Sequence, residues 1–155
     1  GQTYENIEIL IFDNNSDDGE LSAIRREFRN IRLVKSTDNL GLGMAINKAL
    51  KYVDSEYVLI SNFDVVYDKR AVAEFVESFK DLEGNYIGLA PKIKFHYKRD
   101  FIESVGTYLD KSYYIGYQGL GQLDLDQYNL KENVFGVSFT SAFIKTKAFS
   151  EEVVG

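Results

Sequence analysis

The chain has 155 residues, of which 45% are apolar and 27% charged, and a net charge of −6. That balance fits one globular domain and excludes a disordered chain; zero cysteines exclude a disulfide scaffold or a thiolate metal site. The acidic surplus, with Lys and Arg scattered, excludes a general nucleic-acid binder, which needs clustered cations for phosphate.

Ile7, Ile9, Leu10, Ile11 and Phe12 form a nearly continuous apolar run, which predicts a strand covered on both faces. It ends in the polar stretch Asp13-Asn14-Asn15-Ser16-Asp17-Asp18. Asp17 and Glu20 have the spacing of a capping box. Leu21, Ile24 and Phe28 follow as one stripe of an amphipathic helix, and residues 31–34 read as a second strand. After "STDNLGLG" a second helix carries Ile46, Leu50 and Val53 on one side, with Ala45, Ala49 and Tyr52 beside them.

Residues 57–60 predict a third strand ending in "SNFDVVYD". Asp68 is placed to cap a third helix with Val72, Phe75, Val76 and Phe79 on its apolar stripe. Gly84-Asn85 breaks that helix, and residues 86–90 read as a fourth strand stopped by Pro91. Alternating strands and helices predict an α/β fold with a mostly parallel sheet and helices on both faces. From Phe95 to Glu132 the periodicity fails, which predicts a functional loop or a small antiparallel insertion rich in Tyr97, Tyr108, Tyr113, Tyr114, Tyr117 and Tyr128. Strand-like composition returns over residues 134–143. No apolar run approaches the roughly 18 residues of a membrane span.

Ligands of an open parallel sheet bind outside the carboxyl ends of its strands. Three polar clusters are expected there: residues 13–18, 37–43 and 61–64. Each alone is accounted for by a turn or a helix cap, but together they would surround a common crevice. In the third, Asn62 and Asp64 stand at i and i+2 of an extended segment and so share a side, with Phe63 expected to pack inward. This oxygen pair suits a divalent ion, Mg²⁺ or Mn²⁺, shared with a diphosphate. The lone His96, with no second His and no Cys, is a poor metal ligand. Gly41-x-Gly43 lacks the third glycine of a dinucleotide fingerprint, and "GLGMAINK" lacks the Lys-Ser/Thr of a P-loop. No Gly-x-Ser-x-Gly elbow supports a hydrolase.

Taken in order, the clusters resemble the family 2 inverting glycosyltransferases of GT-A fold, in particular their rhamnosyltransferase-like branch. The pattern Q-x-Y-x-x-I-E-I-I-V-V-D-N-x-S-x-D-G corresponds to Gln2 through Gly19. N-x-G-x-x-x-A-x-N corresponds to Asn39-Leu40-Gly41 running on to Asn47, and N-P-D to Asn62-Phe63-Asp64. "IGLAPKI", "GTYLD" through "GLGQLDLDQYN", and "VSFTSAFIKTKAF" resemble the family's next strand, its middle insertion and its acceptor-side strand. The likeness spans nearly the whole chain as one domain, with residues 1–94 as the nucleotide-sugar half and 95–155 as the insertion and acceptor side.

The resemblance implies transfer of a sugar, with inversion, from a UDP- or dTDP-linked donor to a glycan or lipid-linked acceptor in cell-surface polysaccharide synthesis. It implies a cytoplasmic protein, associated peripherally with the inner face of the cell membrane. Asp13 and Asn15 would meet the nucleotide, Asn39 and Asn47 would shape the donor pocket, and Asn62 and Asp64 would occupy the Asp-x-Asp position, with Asp64 the metal ligand. Phe63 stands for the pattern's Pro, and Phe139 for a small residue, often Gly. The family's opening strand and the acidic catalytic base of its later segment have no counterpart between Gly1 and Gly155, so the chain is expected to be an internal piece of the domain and no base is assigned. A non-catalytic module of the same fold and, from the acidic site alone, a nucleotidyltransferase remain alternatives.

Overall fold

The computed structural model describes residues 1–16, 20–82, 85–130 and 133–150. The chain divides into two units, Tyr4–Asp54 and Gly1–Thr3 with Ser55–Gly155. Asp17 of the expected capping box and Gly84 of the expected helix break lie outside the described residues.

In the first unit, β1 (Ile9–Asp13) and β2 (Ile31–Lys35) flank α1 (Glu20–Glu27), and α2 (Gly41–Leu50) follows. The strands pair in parallel and in register, from Ile9 opposite Ile31 to Asp13 opposite Lys35. This pairing carries both strands to the same end, so the loops that bear polar residues emerge together. Helix α2 packs on β1 and buries Ala45. The expected cover on both faces of β1 is not found: Ile7 and Ile9 remain exposed. A two-stranded sheet has too few apolar neighbours to enclose a strand. Phe28 is also exposed, because α1 ends at Glu27 before the last residue of its stripe can turn inward. Arg32 lies 4.9 Å over the ring of Tyr52 and donates to its carbonyl at 3.1 Å, which ties β2 to the chain beyond α2.

The second unit holds β3 (Tyr57–Ser61), α3 (Ala71–Asp81), β4 (Gly88–Leu89), β5 (Ile93–Phe95), β6 (Lys98–Ser104), β7 (Thr107–Leu109), β8 (Ile115–Tyr117) and β9 (Ser141–Lys145). The sheet order is β3-β9-β4, and β9 is antiparallel to both neighbours. This corrects the expected mostly parallel sheet: among the described residues parallel pairing is confined to β1 and β2. The reason lies in β9, whose Ala142-Phe143-Ile144 run is apolar on both faces and therefore takes the central position, flanked on each side.

Phe143 anchors the core of this unit. Its ring stacks on Tyr57 and Phe75, each with centroids 5.3 Å away, and meets Phe79 at 5.6 Å. The helical stripe expected on α3 supplies two of these rings, and Val76 and Phe79 are buried. Asp68 accepts from the Arg70 N–H at 2.9 Å, forming a turn just ahead of α3 and not the cap itself, which is Arg70.

The aperiodic segment is an antiparallel insertion, as the failure of periodicity allowed. β5 pairs with β6 through irregular register, and β7 with β8. Gly106 turns the chain between β6 and β7 at φ 119°, and a Cβ there would stand 2.8 Å from Val134 Cγ1. Only glycine fits that corner. Asp124 fastens the following loop to β5, receiving Lys92 Nζ at 2.8 Å and Lys94 Nζ at 2.7 Å. Hydrogen bonds from Lys92 and then Lys94 lower its carboxyl from 3.8 to about 2.

Two outcomes follow. Phe143→Ala should destabilise the chain by about 3–5 kcal/mol in urea unfolding, since it removes the ring shared by three others. Because Asp124 is more acidic folded than unfolded, its stabilisation is full above pH 3.8 and is lost as pH falls through about 2. Asp124→Asn should therefore be less stable at neutral pH and show a shallower loss between those values than the native chain.

Candidate functional site

At the carboxyl end of β1 the chain must leave the ladder while its backbone groups still need partners. The Asp13 carbonyl accepts the Ser36 N–H at 2.8 Å, one residue past β2. The Asp13 side chain is buried, and its Oδ1 accepts the Ser16 N–H at 2.9 Å. Among the described residues its Oδ2 is buried without a hydrogen bond, with Lys35 Nζ at 3.5 Å as an ion-pair neighbour. Lys35 Nζ also donates to the Ser16 carbonyl at 3.0 Å. Hydrogen bonding from Ser16, with a smaller contribution from Lys35, outweighs burial and holds the Asp13 carboxyl below its ordinary range. The site thus offers an ionised, desolvated carboxylate oxygen with acceptor capacity left over.

Asn14, which the sequence reading passed over, organises the neighbouring loop. Its Oδ1 accepts the Leu40 N–H at 2.9 Å, and its Nδ2 donates to Asn39 Oδ1 at 3.0 Å. Asn39 Oδ1 in turn accepts the Gly41 N–H at 3.0 Å. These bonds satisfy N–H groups at the entrance to α2, which has no side-chain cap at Leu40 itself. Asn39 is therefore engaged in shaping the loop. Asn15 sits at φ 67° with its side chain exposed, a left-handed position that asparagine tolerates. Asn47 is exposed on α2. A cavity of about 260 Å³ between α1 and β2 adjoins Asp13 through Ser16 and Lys35, and Arg25 and Ser22 also line it.

The second unit carries the remaining residues. Beyond β3 the Asn62 N–H donates to the Thr140 carbonyl at 3.1 Å, just before β9 begins. Tyr67 donates to the buried Ser141 hydroxyl at 2.8 Å and pins the segment that follows. Asn62 and Asp64 are exposed, and neither side chain has a hydrogen bond or ion pair among the described residues. Phe63 does not pack inward as expected; it is fully exposed at 103%. The chain turns away after Asn62 and leaves the ring no apolar neighbours. Among the described residues no three His, Asp or Glu side chains converge, so a cation held at Asp64 would take its other ligands from phosphate and water oxygens. A free, solvated carboxylate fits that mode of binding.

The structure therefore brings together Asp13, Asn14 and Asn39 in one unit, and Asn62 and Asp64 in the other. Ser16 and Lys35 join the first group. Lys35 was legible as the register partner of Asp13, had the pairing of "ILIFD" with "IRLVK" been drawn.

The Asn14 bonds give a direct expectation. Asn14→Ala should cost about 1–3 kcal/mol in chemical denaturation by leaving the part-buried Leu40 N–H without a partner, whereas Asn15→Gly should stay within about 0.5 kcal/mol of the native chain.

No curated protein and no solved structure matches the chain. No helix among the described residues is long and apolar enough to cross a membrane. The family model described as glycosyl transferase family 2 matches residues 1–152. With strand-end clusters in the family's order and a match across almost its entire length, the chain belongs to glycosyl transferase family 2, whose membership implies the GT-A fold, a nucleotide-sugar donor and an acceptor.

Proposed function

We propose that this chain transfers a hexose, with inversion, from a UDP- or dTDP-linked donor to a glycan or lipid-linked acceptor. On this reading it belongs to the rhamnosyltransferase-like branch and acts in the cytoplasm at the inner face of the membrane, in cell-surface polysaccharide synthesis. The observation that carries it is the buried, ionised Asp13 at the end of β1, whose Oδ2 has Lys35 as an ion-pair neighbour but no hydrogen bond among the described residues. A nucleoside presents the base N–H and ribose hydroxyl donors that such an oxygen lacks. Family membership favours sugar transfer over nucleotidyl transfer.

Each side chain has a definable part. Asp13 accepts a donor hydrogen bond from the nucleoside and, held by Ser16, does so without reorganising. Asn14 and Asn39 fix the loop that follows β2, and Asn15 and Asn47 offer amides to the same nucleotide. Asp64, with Asn62 beside it, would hold Mg²⁺ or Mn²⁺. When bound, that ion neutralises charge on the departing diphosphate. An acceptor hydroxyl oxygen forms the new bond to the anomeric carbon as the bond to the diphosphate breaks, and the hydroxyl proton passes to a base.

One observation favours a second reading, a non-catalytic module: among the described residues no group of three His, Asp or Glu side chains that could hold a metal includes Asp64. Titration calorimetry separates the two. The chain should bind UDP or dTDP more tightly with Mn²⁺ than without, Asp64→Ala should erase that difference, and Asp13→Ala should weaken nucleotide binding by about tenfold, the loss of one hydrogen bond to a charged group. Failure to bind either nucleotide would sink the transferase reading. Unchanged affinity in Asp13→Ala removes the assigned role of that residue alone. Binding without any donor turnover, measured with a panel of acceptors, favours the module.

A further inference from the structure

Asp13 and Lys35 end the two strands of the first unit as register partners. Side chains opposite one another in a parallel in-register ladder leave the sheet on the same face, so the Lys35 ammonium is carried to the turn that Asp13 begins. Three contacts close that turn. Lys35 Nζ stands 3.5 Å from Asp13 Oδ2 and donates to the Ser16 carbonyl at 3.0 Å, and the Ser16 N–H donates to Asp13 Oδ1 at 2.9 Å. Both backbone groups of Ser16 are thereby held, one by each member of the pair. Asn14 and Asn15 span the interval between these anchors. Asn15 takes its left-handed φ of 67° there, and Asn14 passes the constraint on to the Leu40 N–H at 2.9 Å.

Lys35 belongs to none of the polar clusters at the strand ends; the register and these contacts single it out. Its side chain is half-exposed, and an ion pair with a half-exposed ammonium adds little to folding. Asp13 gains more from the arrangement. Among the described residues Lys35 is the charged side chain that acts on its carboxyl, and it works in the same direction as the Ser16 hydrogen bonds. Arg25 of α1 lines the adjoining cavity beside Lys35. The 3.5 Å separation exceeds the roughly 2.7–2.9 Å of a charge-assisted hydrogen bond, so the ammonium steadies the carboxylate without tying it down. A polar group fixed in this way before its ligand arrives has little reorganisation left to undergo on binding.

We infer that Lys35 is a positioning residue for nucleotide binding: bridging the Asp13 carboxylate and the Ser16 carbonyl, it fixes the turn of residues 13–16 in one geometry in advance. The inference rests on the reading above in which Asp13 meets the nucleoside. Lys35 acts through Asp13 and makes no contact of its own with the nucleotide.

The test is calorimetry with UDP and dTDP on the native chain, Lys35→Met, Lys35→Arg, Asp13→Ala and the double variant Lys35→Met/Asp13→Ala. Methionine keeps an unbranched apolar stem without the charge, and Lys35→Met should weaken nucleotide binding by about fivefold. Lys35→Arg should restore most of the affinity. In the Asp13→Ala background Lys35→Met should cost nothing further, a coupling that a lysine serving stability alone would not show. Unchanged affinity in Lys35→Met beside a weakened Asp13→Ala overturns the inference. So does a loss that persists in full in the Asp13→Ala background, which marks a direct contact with the nucleotide. In both cases the transfer reading stands. Unchanged affinity in Asp13→Ala removes the inference together with the role assigned to Asp13, and failure to bind either nucleotide removes the transfer reading as well. Thermal melts check folding, and Lys35→Gln takes the place of Lys35→Met if the latter does not fold.

Discussion

Where a strand stops, its backbone groups must still be paired, and this requirement organises the polar loops that follow β1 and β3. Beyond β1 the Asp13 carbonyl takes the Ser36 N–H, and the Asn14 side chain takes the Leu40 N–H. Beyond β3 the Asn62 N–H reaches the Thr140 carbonyl. Each bond holds a polar loop in place just past a strand. The loops can carry polar side chains because the strands, not the loops, supply the rigidity.

The two units meet that requirement in different ways. In Tyr4–Asp54, parallel in-register pairing puts Asp13 beside Lys35, and Ser16 closes back on Asp13. The result is a buried carboxylate kept ionised by its neighbours, one oxygen hydrogen-bonded to Ser16 and the other beside the Lys35 ammonium. In the other unit β9 is enclosed by β3 and β4, and Phe143 joins it to α3 through three aromatic neighbours. That packing fixes β3, and hence the point from which Asn62, Phe63 and Asp64 emerge. The insertion is secured separately, through Asp124 and its two lysines.

The two strand ends differ in how they treat their side chains: at the end of β1 a buried carboxylate is held through one oxygen, and beyond β3 an aromatic ring stays exposed. Ionised Asp13 is favoured by its neighbours in the fold, whereas the exposed phenyl ring of Phe63 recovers no burial free energy.

The amino-acid sequence by itself determined strands at residues 7–12, 31–34 and 57–60, which the structure places at 9–13, 31–35 and 57–61, the apolar stripe of α3, and the positions of the polar clusters. These follow from local periodicity and turn chemistry, which need no knowledge of distant residues. It also carried the family, through motifs in order along the chain. Tertiary structure alone decided strand direction and environment: β9 inserts antiparallel between β3 and β4 because a strand apolar on both faces must be central, and no pattern within residues 141–145 says which neighbours it will choose. It also decided which side chain of a cluster is engaged. Asn14 and Asn39 pair across 25 positions while Asn15 points to solvent, and Phe63 stays exposed although alternation predicted burial. Those outcomes depend on where the chain turns after its last ladder bond, and that turn is set by partners far away in sequence.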